Sequence, residues 1–225
     1  MIPQSVCLPG FGDTAAYWSQ WIEGAAKVPV LEVEWPGLWG ASSRNSVAST
    51  PPRATLPAPN VVDDVVDQAL AILGPGDIVV GHSMGGRLAV EIASRQTPGA
   101  VVLLAPTLYQ PDFLSPEALS RWQDAGARPT TRPDPITGKA RELLLGFEYG
   151  SGWLARPMPD YSCLGEVPSV ALLFSEDWAH HDEVKGTLYG VATVIEVDGP
   201  HRWWEDTGVG AEVSAILSVW LNAAL

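Results

Sequence analysis

The sequence predicts an α/β fold, with a mostly parallel sheet of about six strands and helices on both faces. Apolar strand-like segments alternate with helical ones along most of the chain. The strand segments are β-branched and almost continuously apolar, the pattern of strands buried on both sides. A chain of 225 residues, 46% hydrophobic, is also long enough to bury one large core. Residues 1–225 are therefore read as one domain.

The elements follow in order. Ser5, Val6, Cys7 and Leu8 read as a strand, and residues 14–26 as a helix opened by Asp13 or Thr14 as N-cap. Residues 30–33 form a second strand. Residues 37–60, rich in Ser, Pro and Ala and holding Arg44 and Arg53, read as a long loop. Val62, Val65, Val66, Ala69, Leu70 and Leu73 recur at helical spacing over 61–73, and Gly74 ends that helix. A strand over 77–80 leads into Gly81-His82-Ser83-Met84-Gly85, with a helix over 86–95 behind it. Residues 100–104, 170–174 and 192–197 are further strands, and 209–221 is a closing helix. Between them, 106–167 carries eight prolines and no clear strand; 116–126 and 138–146 read as short helices. A connection this long inside a compact domain reads as a lid or binding loop at the strand ends.

The bulk numbers narrow the function. A net charge of −13 argues against nucleic acid and against anionic membrane surfaces. No apolar run reaches the roughly 18 residues needed to span a bilayer. The N-terminus lacks the basic and apolar stretches of a signal peptide. Two cysteines, Cys7 and Cys163, make no disulfide framework, so a cytoplasmic setting is expected.

Strand, G-x-S-x-G, helix is the arrangement that lifts a serine hydroxyl above a sheet edge on a tight turn. In a chain with 22 glycines the bare motif is weak, so other residues must supply a base, an acid and an oxyanion hole. His201, in a loop after the last strand, is the expected base. Asp177, after the 170–174 strand, is the expected acid, with Glu176, Asp182 and Asp198 as rivals. The N–H of Met84, at a helix start, and that of Phe11, after the first strand, are the expected oxyanion donors. Gly10 leaves room for that backbone, and Gly12 is a competing donor. Ten tryptophans are present. Trp178, Trp203 and Trp204 flank the acid and base, so they and the two glycines are expected to line an apolar acyl or aryl pocket. His82 reads as a packing residue, and Arg44, Arg53 and Arg87 as solvated. His180, His181 and Asp182 make a poor metal set, because adjacent histidines point apart.

Together these residues resemble the α/β-hydrolase superfamily over nearly the whole chain. Pro9-Gly10-Phe11-Gly12 with Trp18 looks like its oxyanion-loop motif, with Pro9 where a histidine is common. Ser83 matches the nucleophile, Asp177 the acid and His201 the base; Ser175 stands where a glycine is common. Pro168-Ser169-Val170 resembles the usual strand entry, and the leading hairpin of larger members is expected to be missing. The resemblance implies a small-capped serine hydrolase that cleaves carboxylic esters through an acyl-enzyme. No cofactor and no metal are implied, and the expected partner is a small-molecule ester or thioester with an apolar acyl or aryl group. Thioesterase, lactonase, amidase, peptidase or lyase chemistry would suit the same scaffold. So would a non-catalytic small-ligand receptor.

Overall fold

The computed structural model describes residues 3–35, 61–109, 114–135, 137–177 and 181–225. The loop expected over 37–60, with Arg44 and Arg53, lies outside them, as do Trp178 and His180.

Six strands form one parallel sheet: β1 (Ser5–Leu8), β2 (Val30–Glu32), β3 (Ile78–His82), β4 (Ala100–Leu104), β7 (Ser169–Phe174) and β8 (Thr193–Val197). Their spatial order is β2-β1-β3-β4-β7-β8, so β1, β3, β4 and β7 are interior. Successive side chains of a strand face opposite ways. Val79, Val101, Leu103, Ala171 and Leu173 accordingly enter the core under α2 (Val61–Ile72), α3 (Met84–Arg95) and α6 (His181–Leu188). Their neighbours Ile78, Val80, Val102, Leu104, Val170 and Leu172 pack on the other face against α1 (Ser19–Ala26) and α7 (Thr207–Ala224). Burial on both sides is why the interior strands are apolar almost throughout, with Ser5, His82 and Ser169 at their ends. The edge strands β2 and β8 are only partly buried and carry Glu32 and Glu196.

The expected helix over 14–26 is broken in two. Thr14 caps a short 3₁₀ turn, its hydroxyl accepting from the Ala16 N–H at 3.1 Å, and Trp18 (φ −129°) separates that turn from α1. The larger correction lies between β4 and β7. Residues 140–146 form a strand, β6 (Ala140–Gly146), and not a helix; it pairs antiparallel with β5 (Ala127–Pro133). Asp134 sets the turn: its carboxylate accepts from the Thr137 N–H at 2.8 Å, and Gly138 takes φ 68° before the chain returns. Three consecutive leucines satisfy either period, and hairpin pairing decides for two: Leu143 and Leu145 are buried while Leu144 is half-buried. The hairpin sits between α4 (Pro116–Ala125), capped by Ser115 and ended by Gly126, and α5 (Phe147–Ala155). Arg156 ties this region to the sheet side. It meets Glu91 of α3 at 2.5 Å and Asp63 of α2 at 2.5 Å.

Beyond β2, Glu34 accepts a hydrogen bond from the Thr14 hydroxyl, and Glu32 does so from Ser19. Burial pushes the Glu34 carboxyl up to about 8, only partly opposed by the Thr14 bond, with Glu32 adding repulsion. The native state therefore holds a proton that the unfolded chain has released, and Glu34 costs stability as pH rises from about 4.5 through 8. Glu34→Gln is expected to raise stability by about 3 kcal/mol at pH 9 and far less at pH 5, read from thermal melts at both values. A melting-temperature gain equal at both would show that Glu34 is ionised throughout.

Candidate active site

Ser83 is positioned by a turn that few residues could make. The end of β3 and the start of α3 approach so closely that a Cβ on Gly81 would lie 2.3 Å from the Gly85 carbonyl oxygen. Ser83 itself has φ 54° and ψ −125°, a strained conformation for a residue with a side chain. Three backbone bonds hold it there. Its N–H donates to Leu104 at 2.9 Å, and its carbonyl accepts from Gly86 at 2.9 Å and Thr107 at 3.0 Å. The result is a hydroxyl above the sheet edge in a residue only 5% exposed.

Two loops at the same edge bring up the other groups. His201 Nε2 lies 3.0 Å from Ser83 Oγ, and its Nδ1 lies 2.9 Å from each carboxylate oxygen of Asp177. A carboxylate at Nδ1 places the ring proton there and leaves Nε2 as an acceptor for the serine hydroxyl. The Asp177 side chain is 5% exposed, whereas Glu176, Asp182 and Asp198 are exposed. Asp198 is engaged elsewhere. It accepts from the Ser175 hydroxyl at 2.5 Å, and Ser175 in turn accepts from the Gly199 N–H at 3.3 Å. The serine in the place of a common glycine thus latches the acid loop to the base loop.

His82 supports the same loop from below. Its Nε2–H donates to the His201 carbonyl at 3.1 Å, and burial, reinforced by the neighbouring His201, holds it well below the usual histidine range. It is a neutral hydrogen-bonding residue under the site.

The turn after β1 approaches from the other side. A Cβ on Gly10 would meet Ser83 Cβ at 3.0 Å, so glycine lets this backbone reach the serine. Trp35 Nε1–H donates to the Gly10 carbonyl at 2.9 Å, and the Gly12 N–H donates to the Tyr149 hydroxyl at 2.9 Å. Gly12, the competing oxyanion donor, is thus turned toward α5 and not toward Ser83. Met84 opens α3, where a helix N–H has no acceptor within the helix. Phe11 and Met84 both line the cavity in front of Ser83, which has a volume of about 180 Å³.

The walls of that cavity differ from the expectation. Trp203 is fully buried in the core, its ring stacked on Phe174 at 6.2 Å. Trp204 packs edge-on against His82 at 4.6 Å and stacks on Tyr17 at 6.0 Å. Neither lines the cavity; both follow the base on a 3₁₀ turn that runs back toward the sheet. The lining is Phe11, Met84 and Leu145, with Asp13, Thr130 and three arginines at 128, 132 and 202. Arg87, expected to be solvated, is buried and donates to the Pro157 carbonyl, just past the end of α5, at 3.0 Å. Sequence reasoning missed Thr107, whose hydroxyl lies 3.4 Å from Ser83 Oγ. It also missed the alternation Arg128-Thr130-Arg132, a legible signal once β5 is known to be a strand.

Residues 6–211 match the sequence profile of the alpha/beta hydrolase family. Among curated proteins, none matches the chain. Several solved structures share its fold. The monoacylglycerol lipase of Paleococcus ferrophilus superposes with a TM-score of 0.67 at 18% identity, over 100% of this chain and 96% of its own. The type II thioesterase BorB of the borrelidin biosynthetic cluster gives 0.59 at 18% identity, over 99% and 92%. A pyrethroid hydrolase of Sphingobium faniae JZ-2 gives 0.62 at 14% identity, over 99% and 98%. Among the described residues, no helix is long and apolar enough to cross a membrane.

Proposed function

The chain belongs to the α/β-hydrolase family, and from that premise we propose that it is a serine hydrolase of carboxylic esters, with Ser83 as nucleophile, His201 as base and Asp177 as acid. One observation carries the reading: the unbroken relay Asp177–His201–Ser83, at 2.9 and 3.0 Å, opening on a cavity. As Ser83 Oγ attacks the ester carbonyl, its proton passes to His201 Nε2, and Asp177 stabilises the imidazolium. The N–H groups of Phe11 and Met84 receive the negative oxygen of the tetrahedral intermediate. His201 then protonates the departing alcohol. Water enters, loses a proton to His201 and attacks the acyl-enzyme, which releases the acid and returns the proton to Ser83. The cycle draws on no cofactor. Residues 1–225 serve as one catalytic domain, with 106–167 as the lid over the cavity. Free thiols at Cys7 and Cys163 suit a cytoplasmic setting.

A cavity of about 180 Å³ is small beside common ligand pockets, so short acyl groups suit it best. Across 4-nitrophenyl esters from acetate to laurate, kcat/KM is expected to peak at short chains and to fall at least tenfold by laurate. A long-chain optimum would place the acyl group outside this cavity. No turnover of any ester would sink the reading and favour a ligand-binding role.

A further inference from the structure

The cavity in front of Ser83 has the opposite charge to the protein that contains it. The chain carries a net charge of −13 and only 13 Lys and Arg residues, yet Arg128, Arg132 and Arg202 all line this one cavity, with Asp13 the single carboxylate among the described lining residues. The two-residue period of β5 sends Arg128, Thr130 and Arg132 to the same side, and that side faces the cavity. Arg202 follows the base directly in the chain. Asp13 Oδ1 accepts from Arg132 Nε at 2.9 Å and from Arg202 Nη2 at 3.2 Å, and Arg132 Nη1 also donates to Thr130 Oγ1 at 2.9 Å.

Asp13 thus fixes two guanidinium groups, and Glu205, outside the cavity lining, also meets Arg202 at 3.3 Å, so that among the described lining residues three guanidinium groups stand beside one carboxylate. The side chains of Arg132 and Arg202 are 24% and 29% exposed, so they are partly withdrawn from water but still reachable. Like charges gathered at a partly enclosed site repel one another, and an anion relieves that repulsion. Arginine suits this role because its planar fork meets a carboxylate or a phosphate through paired hydrogen bonds. An apolar acyl group gains nothing from such a wall.

We propose that the natural substrate is an ester or thioester carrying an anionic group, a carboxylate or a phosphate, received by Arg128, Arg132 and Arg202 while the scissile carbonyl lies at Ser83. This rests on the reading of Ser83 as nucleophile. The bond cleaved and the water consumed are those of ordinary ester hydrolysis; the arginines select the substrate and orient it. The protein's overall negative charge repels anions at a distance, so the selection acts at short range and weakens with salt.

The test compares kcat/KM for matched pairs of esters. One pair places the charge in the acyl half: 4-nitrophenyl hydrogen adipate against 4-nitrophenyl heptanoate. The other places it in the leaving group: 4-carboxyphenyl butyrate against 4-carbamoylphenyl butyrate. The anionic member of one pair is expected to be favoured by about tenfold or more, the scale of a charge-assisted hydrogen bond, and that pair tells which half of the substrate meets the arginines. The ratio is expected to shrink in molar salt, to collapse toward one in Arg128→Gln and to recover in part in Arg128→Lys. Salt dependence of the wild type gives the same readout should a variant fail to fold. No anionic preference in either pair, or a preference indifferent to both salt and Arg128, overturns the proposal and leaves the hydrolase standing. Ester turnover that is absent, or that survives Ser83→Ala, removes the nucleophile and the proposal with it.

Discussion

Ser83→Ala is expected to lower kcat on 4-nitrophenyl acetate by about 10⁴- to 10⁶-fold, the scale seen when a nucleophile is removed from a residue set that acts as a unit. The substitution deletes one oxygen. It leaves intact the three backbone bonds that hold the turn, because these run through the Ser83 N–H and carbonyl. The melting temperature should therefore stay close to that of the wild type; of the hydroxyl's partners, His201 lines the cavity in front of the serine and Thr107 is buried 3.4 Å away. A variant that melts normally and has lost turnover identifies the hydroxyl as the reacting group. Near-normal turnover would mean that the relay in front of the cavity is not the catalytic one.

Asp177→Asn is expected to cost about 10³- to 10⁴-fold in kcat. Both carboxylate oxygens lie 2.9 Å from His201 Nδ1, so the carboxylate sets which ring nitrogen carries the proton. An amide in its place can present its NH₂ to Nδ1, which would move the proton to Nε2 and leave Ser83 without a base. Asp198→Asn is the control. Asp198 is exposed and bonds Ser175, so its loss loosens the latch between the two loops and should cost less than tenfold. If Asp198→Asn proved the more damaging change, the acid would have to be reassigned.

Much of the fold was legible because its causes are local. Interior strands buried on both faces must be largely apolar, and residues 78–80 of β3, 100–104 of β4 and 170–174 of β7 are. Gly81-His82-Ser83-Met84-Gly85 announced a tight strand-to-helix turn because only glycine tolerates a carbonyl 2.3 Å from where its Cβ would be. The β5–β6 hairpin was not legible. Leu143, Leu144 and Leu145 fit a helical or an extended period equally well, and pairing with a partner strand decided between them.

The site divides in the same way. From the sequence alone came the parallel sheet, the strained serine turn, a histidine after the last strand and a carboxylate after the strand before it, since each is set by residues a few positions apart. Only the tertiary structure decided which neighbours converge. It buried Trp203 on Phe174 and turned the Gly12 N–H toward Tyr149. It also brought Arg202 to Asp13, 189 positions away, and Arg132 to the same carboxylate across 119. Sheet order, strand register and the docking of a hairpin fix such meetings, and none of these is a property of any short stretch of chain. Local periodicity carries the first kind of information, and the three-dimensional closure of the chain carries the second.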